Sequence, residues 1–477
     1  MKGAWIYAGL LAAGLQVAQA GEVDDFINYG FLDTTKANLA SGEAEAASSI
    51  KAWADQQVTL NTFYSVTNKT DFGGNITANH YASFPPYWWP TCDLPMKQAV
   101  TECDFEKRDG EWNNELVGLS GNSEEVANFC IDVTKLSVAA YLYANKAYAD
   151  RAYFLLNKWF LDEATRMLPN LDFGQMLPGK DGGGGRPYGL IQTRCFVSMV
   201  SAMPLLRNVT SEHGEIYTGV QGWFKQFTEW YTTSALGKEE IASANNHGTN
   251  SAIQLTSYYR FNEQPAEAIE VVNQFMGGLY QQQVDSNGGQ PLELSRADNF
   301  EYAMMNLGFL LVLGQLSDSM DHPIWNIPSG NGTTIQSAIN YFVPFASGGK
   351  TWEGGKGARM EQVTHYFQLA AAIYGDDGHS YLTAIKAVGK TSREATSYYR
   401  LYSDYSYGLT SDQLTPLPQT GNGAPGAGNA TIPLGGPVPA DVPAVPAGTH
   451  SSTSTTIPGS VSPVTNPSTP PKIKCRP

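Results

Sequence analysis

The stretch Ala244-Asn245-Asn246-His247-Gly248-Thr249-Asn250 sets two amides, an imidazole and a glycine directly before the helical run 253–259. A helix start offers free N–H groups and the positive end of the helix dipole, which together attract an anion such as a carboxylate. Asn246 can donate to that anion, Asn245 is a candidate substrate contact, and His247 can move a proton or carry charge. Plain helix capping is the competing use of these asparagines. A second block, 293–307, contains Glu293, Arg296, Asp298, Glu301 and Tyr302. Its D-x-x-E spacing makes Asp298 a candidate N-cap. With a helix starting between them, Arg296 and Tyr302 can face one rim, although six residues apart within a helix they would diverge. The alternatives are an Arg296–Glu293 salt bridge and a core position for Tyr302.

Two further segments interrupt the helical texture. His80-Tyr81-Ala82-Ser83-Phe84-Pro85-Pro86-Tyr87-Trp88-Trp89-Pro90 holds three prolines, which exclude a continuous helix. Tyr87, Trp88 and Trp89 are suited to stacking on sugar faces, or else to pinning the loop. Arg108-Asp109-Gly110-Glu111 follows. The other segment runs from Pro169 to Gln175 and through Gly182–Gly185 to Arg186. No strand precedes its glycines, so a phosphate loop is disfavoured, and a pliant rim or close backbone approach to a ligand is expected. Gln175 and Arg186 are candidate ligand contacts. Gln362-Val363-Thr364-His365-Tyr366 adds a weaker candidate rim contact.

These segments hang on helices. Leu136, Ala140, Tyr143 and Ala147, then Ala152, Leu155, Leu156, Trp159 and Phe160, recur at helical spacing around a polar break at Asn145-Lys146. Similar breaks lie at Ser41-Gly42-Glu43, Asn262–Pro265 and Gly375–Gly378. Helical hairpins over about 390 residues exceed a usual single core, whereas a ring of hairpins lets each pack mainly on its neighbours. The expected class is all-α, an incomplete α/α toroid over 21–410. An open solenoid is the alternative.

The ends differ from this middle. Lys2, the apolar run 5–13 and Ala18-Gln19-Ala20 read as a signal peptide over 1–20, so a secreted protein is expected. No later stretch is read as apolar enough to span a membrane. Of 27 prolines, 14 fall in 416–477, so 411–477 is expected to be a disordered, Pro/Gly/Ser/Thr-rich tail, a candidate for cell-wall association. Export favours disulfides, with Cys92–Cys103 and Cys130–Cys195 the plausible pairs and Cys475 left over. Sequons at Asn68, Asn75, Asn208, Asn331 and Asn429 fit the same route. Thirty basic against 45 acidic residues, a net charge of −15, disfavour nucleic-acid binding. No metal-ligand spacing appears, and neither metal nor cofactor is expected.

Tyr-Trp-Trp-Pro, Asn-Asn-His-Gly-Thr and Glu-Leu-x-Arg followed by a helical Tyr together resemble the alginate lyase superfamily of polysaccharide lyases, over roughly 80–370. The resemblance implies an incomplete α/α toroid acting on an acidic polysaccharide, with Asn246, His247, Arg296 and Tyr302 catalytic. Many relatives have His where this chain has Glu301. In the implied β-elimination, Asn246 with Arg296 or His247 neutralises a uronate carboxylate, and Tyr302 transfers protons, its pKa lowered by Arg296. A non-catalytic glycan-binding protein and an α/α-toroid glycoside hydrolase are the rivals. The hydrolase needs two carboxylates, for which Asp109, Glu115 and Glu293 are candidates.

Overall fold

The apolar spacing at 136–160 folds as expected. Helix α5 (Asn122–Tyr143) ends at Ala144, which takes a left-handed φ of 47°, and Asn145 caps α6 (Lys146–Phe160) by accepting the Ala147 N–H. The computed structural model describes residues 27–388, except 28, 40–44, 70–74 and 181. The signal peptide, the 411–477 tail, Cys475 and Asn429 lie outside the described residues, as does the Ser41-Gly42-Glu43 break. All described elements belong to the unit Met1–Ala430; Thr431–Pro477 is a separate unit.

Before that hairpin come α1 (Tyr29–Asn38), α2 (Glu45–Gln57), β1 (Trp88–Pro90), α3 (Met96–Glu102), β2 (Phe105–Lys107) and α4 (Asn114–Gly118). After it come α7 (Phe196–Arg207), α8 (Gly214–Thr233), α9 (Ala235–Ile241), α10 (Asn246–Phe261), α11 (Pro265–Gly277) and α12 (Tyr280–Gln283). The last are α13 (Pro291–Leu294), α14 (Asn299–Asp318), α15 (Ile335–Ala346), α16 (Thr364–Tyr374) and α17 (Ser380–Val388). The breaks at 262–265 and 375–378 separate α10 from α11 and α16 from α17.

Neighbouring helices pack in sequence around an α/α toroid. α5 lies on α6 and α7, and α10 on α7, α8, α11 and α14. α7, α10, α14 and α16 are buried on nearly every side. α6, α8 and α11 keep a polar stripe. The first set is therefore the inner layer and the second the outer layer. Phe160, Phe196, Trp223, Phe224 and Phe227 pack ring against ring between the layers, each burial contributing ~1.5–3 kcal/mol.

Both expected disulfides are present, Cys92–Cys103 and Cys130–Cys195. The second ties α5 to the start of α7. One sequence reading needs correcting. Residues Pro187–Arg207 are long and apolar enough to cross a membrane, but 78 % of that window is buried in the toroid. Its apolarity serves the inner layer, where helices are buried on nearly every side.

Candidate active site

At the start of α10, Asn245 occupies the N-cap and its side-chain oxygen accepts the His247 N–H at 3.1 Å. Capping thus occupies that oxygen of Asn245. Asn246 is fully buried. Its backbone N–H and Nδ2 donate to the two oxygens of Glu293, at 2.7 and 2.8 Å, while Oδ1 has no partner. The Glu293–Arg296 salt bridge weighed from spacing is not the arrangement found, because Glu293 turns inward to the α10 N-terminus. Burial pushes its carboxyl pKa up, while Asn246, Arg296 and His247 pull it down, so this one carboxylate feels both the cation and the imidazole. His247 Nδ1 is 2.6 Å from Oε1 of Glu240, a fully buried residue of α9. An ionised Glu240 accepts Nδ1–H, which leaves Nε2 as the lone-pair nitrogen. Gly248 permits this junction: a Cβ there would sit 2.0 Å from Ser243 O.

Tyr302 lies in the first turn of α14. Asp298 takes the N-cap position as its spacing predicts, but its side chain makes no capping bond. Arg296 donates Nε and Nη2 to Asp109, at 3.1 and 2.7 Å, and its guanidinium lies 3.6 Å from the Tyr302 ring centroid. This fork holds the Asp109 carboxyl below the usual carboxylate range. The Tyr302 hydroxyl donates to the Tyr87 hydroxyl at 3.0 Å. The expectation that Arg296 lowers the Tyr302 pKa is overturned in sum: burial raises it most, Tyr87 and Asp109 add to this, and Arg296 opposes them without prevailing. Among these influences Glu301 does not figure.

Tyr87 is placed by the Pro-rich segment. β1 and β2 pair antiparallel, the Cys92–Cys103 bridge staples them, and Arg108 N–H donates to Tyr87 O at 2.8 Å. Successive strand residues face opposite ways. Trp88 accordingly packs in a small apolar cluster with Arg186 over its ring, whereas Trp89 lies under Arg108 and donates Nε1–H to Glu111 O. Trp88 therefore lies beside Arg186 and Trp89 turns to its own ribbon. Gln175, nearly buried at a left-handed φ of 49°, holds Arg186 through O and Oε1. It acts on the rim through that arginine. Two glycines of this segment let backbone approach backbone: a Cβ on Gly185 or Gly189 would fall 2.7 or 2.4 Å from Gly174 atoms, whereas Gly183 borders open space. Tyr188, which the sequence did not single out, stands 4.8 Å from the His247 ring. His365 and Tyr366 are buried, Tyr366 donating to Met304 O of α14, and so are not rim contacts; α16 is an inner-layer helix. Among the described residues no His/Cys/Asp/Glu group could hold a metal.

Glu301 is paired with Arg359, and Lys356 donates to Gly110 O, so the glycine-rich segment 353–359 bridges α14 and the 108–111 turn. Arg359→Ala leaves a carboxylate unneutralised beside Tyr302. We expect KM for an anionic polymer to rise about 2–5-fold with kcat little changed, the pair being partly solvent-screened. Adding Glu301→Gln should restore KM, which steady-state kinetics on the four-member mutant cycle measure.

The sequence model of the alginate lyase family matches residues 65–352. The chain belongs to the alginate lyase family. This lyase is similar to an alginate lyase from Bacteroides ovatus, with 28 % identity and a TM-score of 0.72, covering 80 % of this chain and 98 % of that one. It is also similar to alginate lyase A1-III from Sphingomonas species A1, at 12 % identity and a TM-score of 0.49, over 81 % and 98 % of the two chains. No curated protein matches it. The lyase thus carries Asn246, His247, Arg296, Tyr302, Tyr87, Trp88 and Arg186 in one connected neighbourhood. Glu240 and Tyr188 are the members that the sequence did not single out, and Asp109, a candidate carboxylate there, serves instead as the partner of Arg296.

Proposed function

We propose that this lyase is exported and cleaves a 1,4-linked polyuronate of mannuronan or glucuronan type by β-elimination. The observation that carries this reading is Arg296, clamped by Asp109, lying against the face of Tyr302 at the rim. A base removes the C5 proton, the electron pair forms the C4–C5 double bond, the C4–O4 bond breaks, and O4 takes a proton. Tyr302 supplies that proton, for which a neutral phenol of raised pKa is suited. In mannuronate and glucuronate the C5 hydrogen and the C4 oxygen share a side, so the same phenol, as phenolate, serves as base. The guanidinium over its ring favours that form. His247, its tautomer set by Glu240, is the base for the opposite stereochemistry.

Charge buildup on the uronate carboxylate is countered by Arg296. Asn246, fully buried with its backbone N–H and Nδ2 on Glu293, serves the site by fixing that carboxylate, which feels both Arg296 and His247. The rim also carries Arg186 and Lys356, local cations in a chain of net charge −15, whereas Arg359 is neutralised by Glu301. The hydrolase reading is disfavoured: Asp109 is spent on Arg296 and Glu293 on Asn246. The tail is proposed to tether the protein to a wall.

The test is incubation with polymannuronate, glucuronan and a neutral glycan. Ultraviolet-absorbing unsaturated ends from a polyuronate support the reading. Reducing ends without that absorbance, or binding without cleavage, contradict it.

A further inference from the structure

Among the arginines of the site, Arg186 differs in having no counter-ion. Arg296 is paired with Asp109 and Arg359 with Glu301. Arg186, half-buried, donates Nε to Gln175 O at 3.0 Å and Nη2 to Gln175 Oε1 at 3.2 Å, both neutral acceptors. Its guanidinium lies 5.6 Å from the ring centroids of both Trp88 and Tyr188, and its own N–H donates to Gly174 O at 2.9 Å. No carboxylate of the described residues reaches it, although acidic residues outnumber basic ones by 45 to 30.

A partly desolvated cation without a counter-ion is costly, and a buried charge is ordinarily paired. The surrounding packing nevertheless fixes this one. Gln175 takes the inner edge of the fork, two rings flank it, and the Gly174–Gly185–Gly189 backbone contacts hold the segment. A guanidinium held by neutral groups keeps its charge for an incoming anion, and its planar fork matches a carboxylate. Tyr188 links it to the reaction centre, standing 4.8 Å from the His247 ring and largely solvent-exposed.

We propose that Arg186, between Trp88 and Tyr188, binds the carboxylate of the sugar adjacent to the one undergoing elimination. This rests on the polyuronate reading above and adds to it: the cleft requires acid groups on neighbouring sugars, so polymers alternating acidic and neutral sugars are poor substrates. Arg186 is then a specificity residue that holds the chain in register, whereas Arg296 serves the reacting sugar.

The experiment uses the full chain bearing Tyr302→Phe, to prevent turnover, and calorimetric titration with mannuronate and glucuronate tetrasaccharides and their carboxyl-reduced counterparts. Adding Arg186→Gln should weaken binding of the acidic tetrasaccharide that binds by ~10- to 100-fold, leave the reduced one unchanged, and be partly rescued by Arg186→Lys. In the otherwise native chain, Arg186→Gln should raise KM with kcat little changed. Equal weakening towards acidic and reduced ligands, or no weakening, overturns the proposal. Charge-selective binding that depends on Arg186 in a native chain making no unsaturated product would support this subsite while sinking the eliminase reading. Active cleavage with no such dependence does the reverse.

Discussion

Tyr302→Phe should lower kcat/KM on a cleaved polyuronate by ~10²–10⁴-fold, the span of a lost general acid–base group, while KM moves little. The substitution removes one oxygen that donates to Tyr87 and leaves the ring beneath Arg296. Stability should change by about 1 kcal/mol or less, so the loss is chemical. The pH profile makes the test sharper. The Tyr302 pKa lies above the ordinary tyrosine value through burial and Tyr87. If the phenolate is the base, the native rate must climb with pH throughout the range below that raised value. The Phe variant should lose this climb. A residual profile parallel to the native one would transfer the base role to another group.

On a polyuronate whose C5 hydrogen and C4 oxygen lie on opposite sides, for which His247 is the base, Glu240→Gln should lower kcat by about 10²-fold or more through His247, which it positions. Glu240 is fully buried and touches no open surface, so it meets no substrate. An ionised Glu240 accepts Nδ1–H; a glutamine can turn its amide N–H to Nδ1 instead, which moves the ring proton to Nε2 and removes the lone pair. Nitrogen-detected NMR of the His247 ring reports that tautomer directly. Stability is predicted to hold, and the sign can be worked out. Burial raises the Glu240 carboxyl pKa in the folded chain despite His247 lowering it. Its stabilising contribution is present at low pH and is lost as pH rises through the folded value. At neutral pH the ionised carboxylate therefore costs stability, and the neutral amide escapes that cost. The acid side of the native activity profile should sit above the usual glutamate range near ~4.3, and the variant should lack that limb. A folded Glu240→Gln protein with native kcat and an unchanged His247 tautomer would remove Glu240 from the mechanism.

The sequence was most legible where function and helix chemistry coincide. Asn245 caps α10 as its type predicts, which sets His247 at the helix start. Arg296 before α14 and Tyr302 within its first turn face each other because the helix begins between them. Both disulfides were readable from spacing and export. What stayed hidden were side-chain pairings between separate elements. Asp109 meets Arg296 across 187 positions, and Glu240 reaches His247 from a different helix. Each is an ordinary surface-type acid by its local neighbours; the tertiary fold brings Asp109 to Arg296, and the turn between α9 and α10 brings Glu240 to His247. Glycine signals close approach without naming what approaches, and at Gly185 and Gly189 it is the backbone at Gly174. Trp89 misled because alternation along a three-residue strand separated it from Trp88.

The most direct measurement is the mass of the two fragments released when the protein cuts a purified mannuronate or glucuronate oligomer once. Elimination splits the chain without consuming water. The two fragment masses should therefore add up to the parent, with the unsaturation confined to the fragment bearing the new non-reducing end. Fragments that together exceed the parent by one water would mean hydrolysis, and would contradict the assignment of Tyr302, Arg296, Asn246 and His247 to a lyase site.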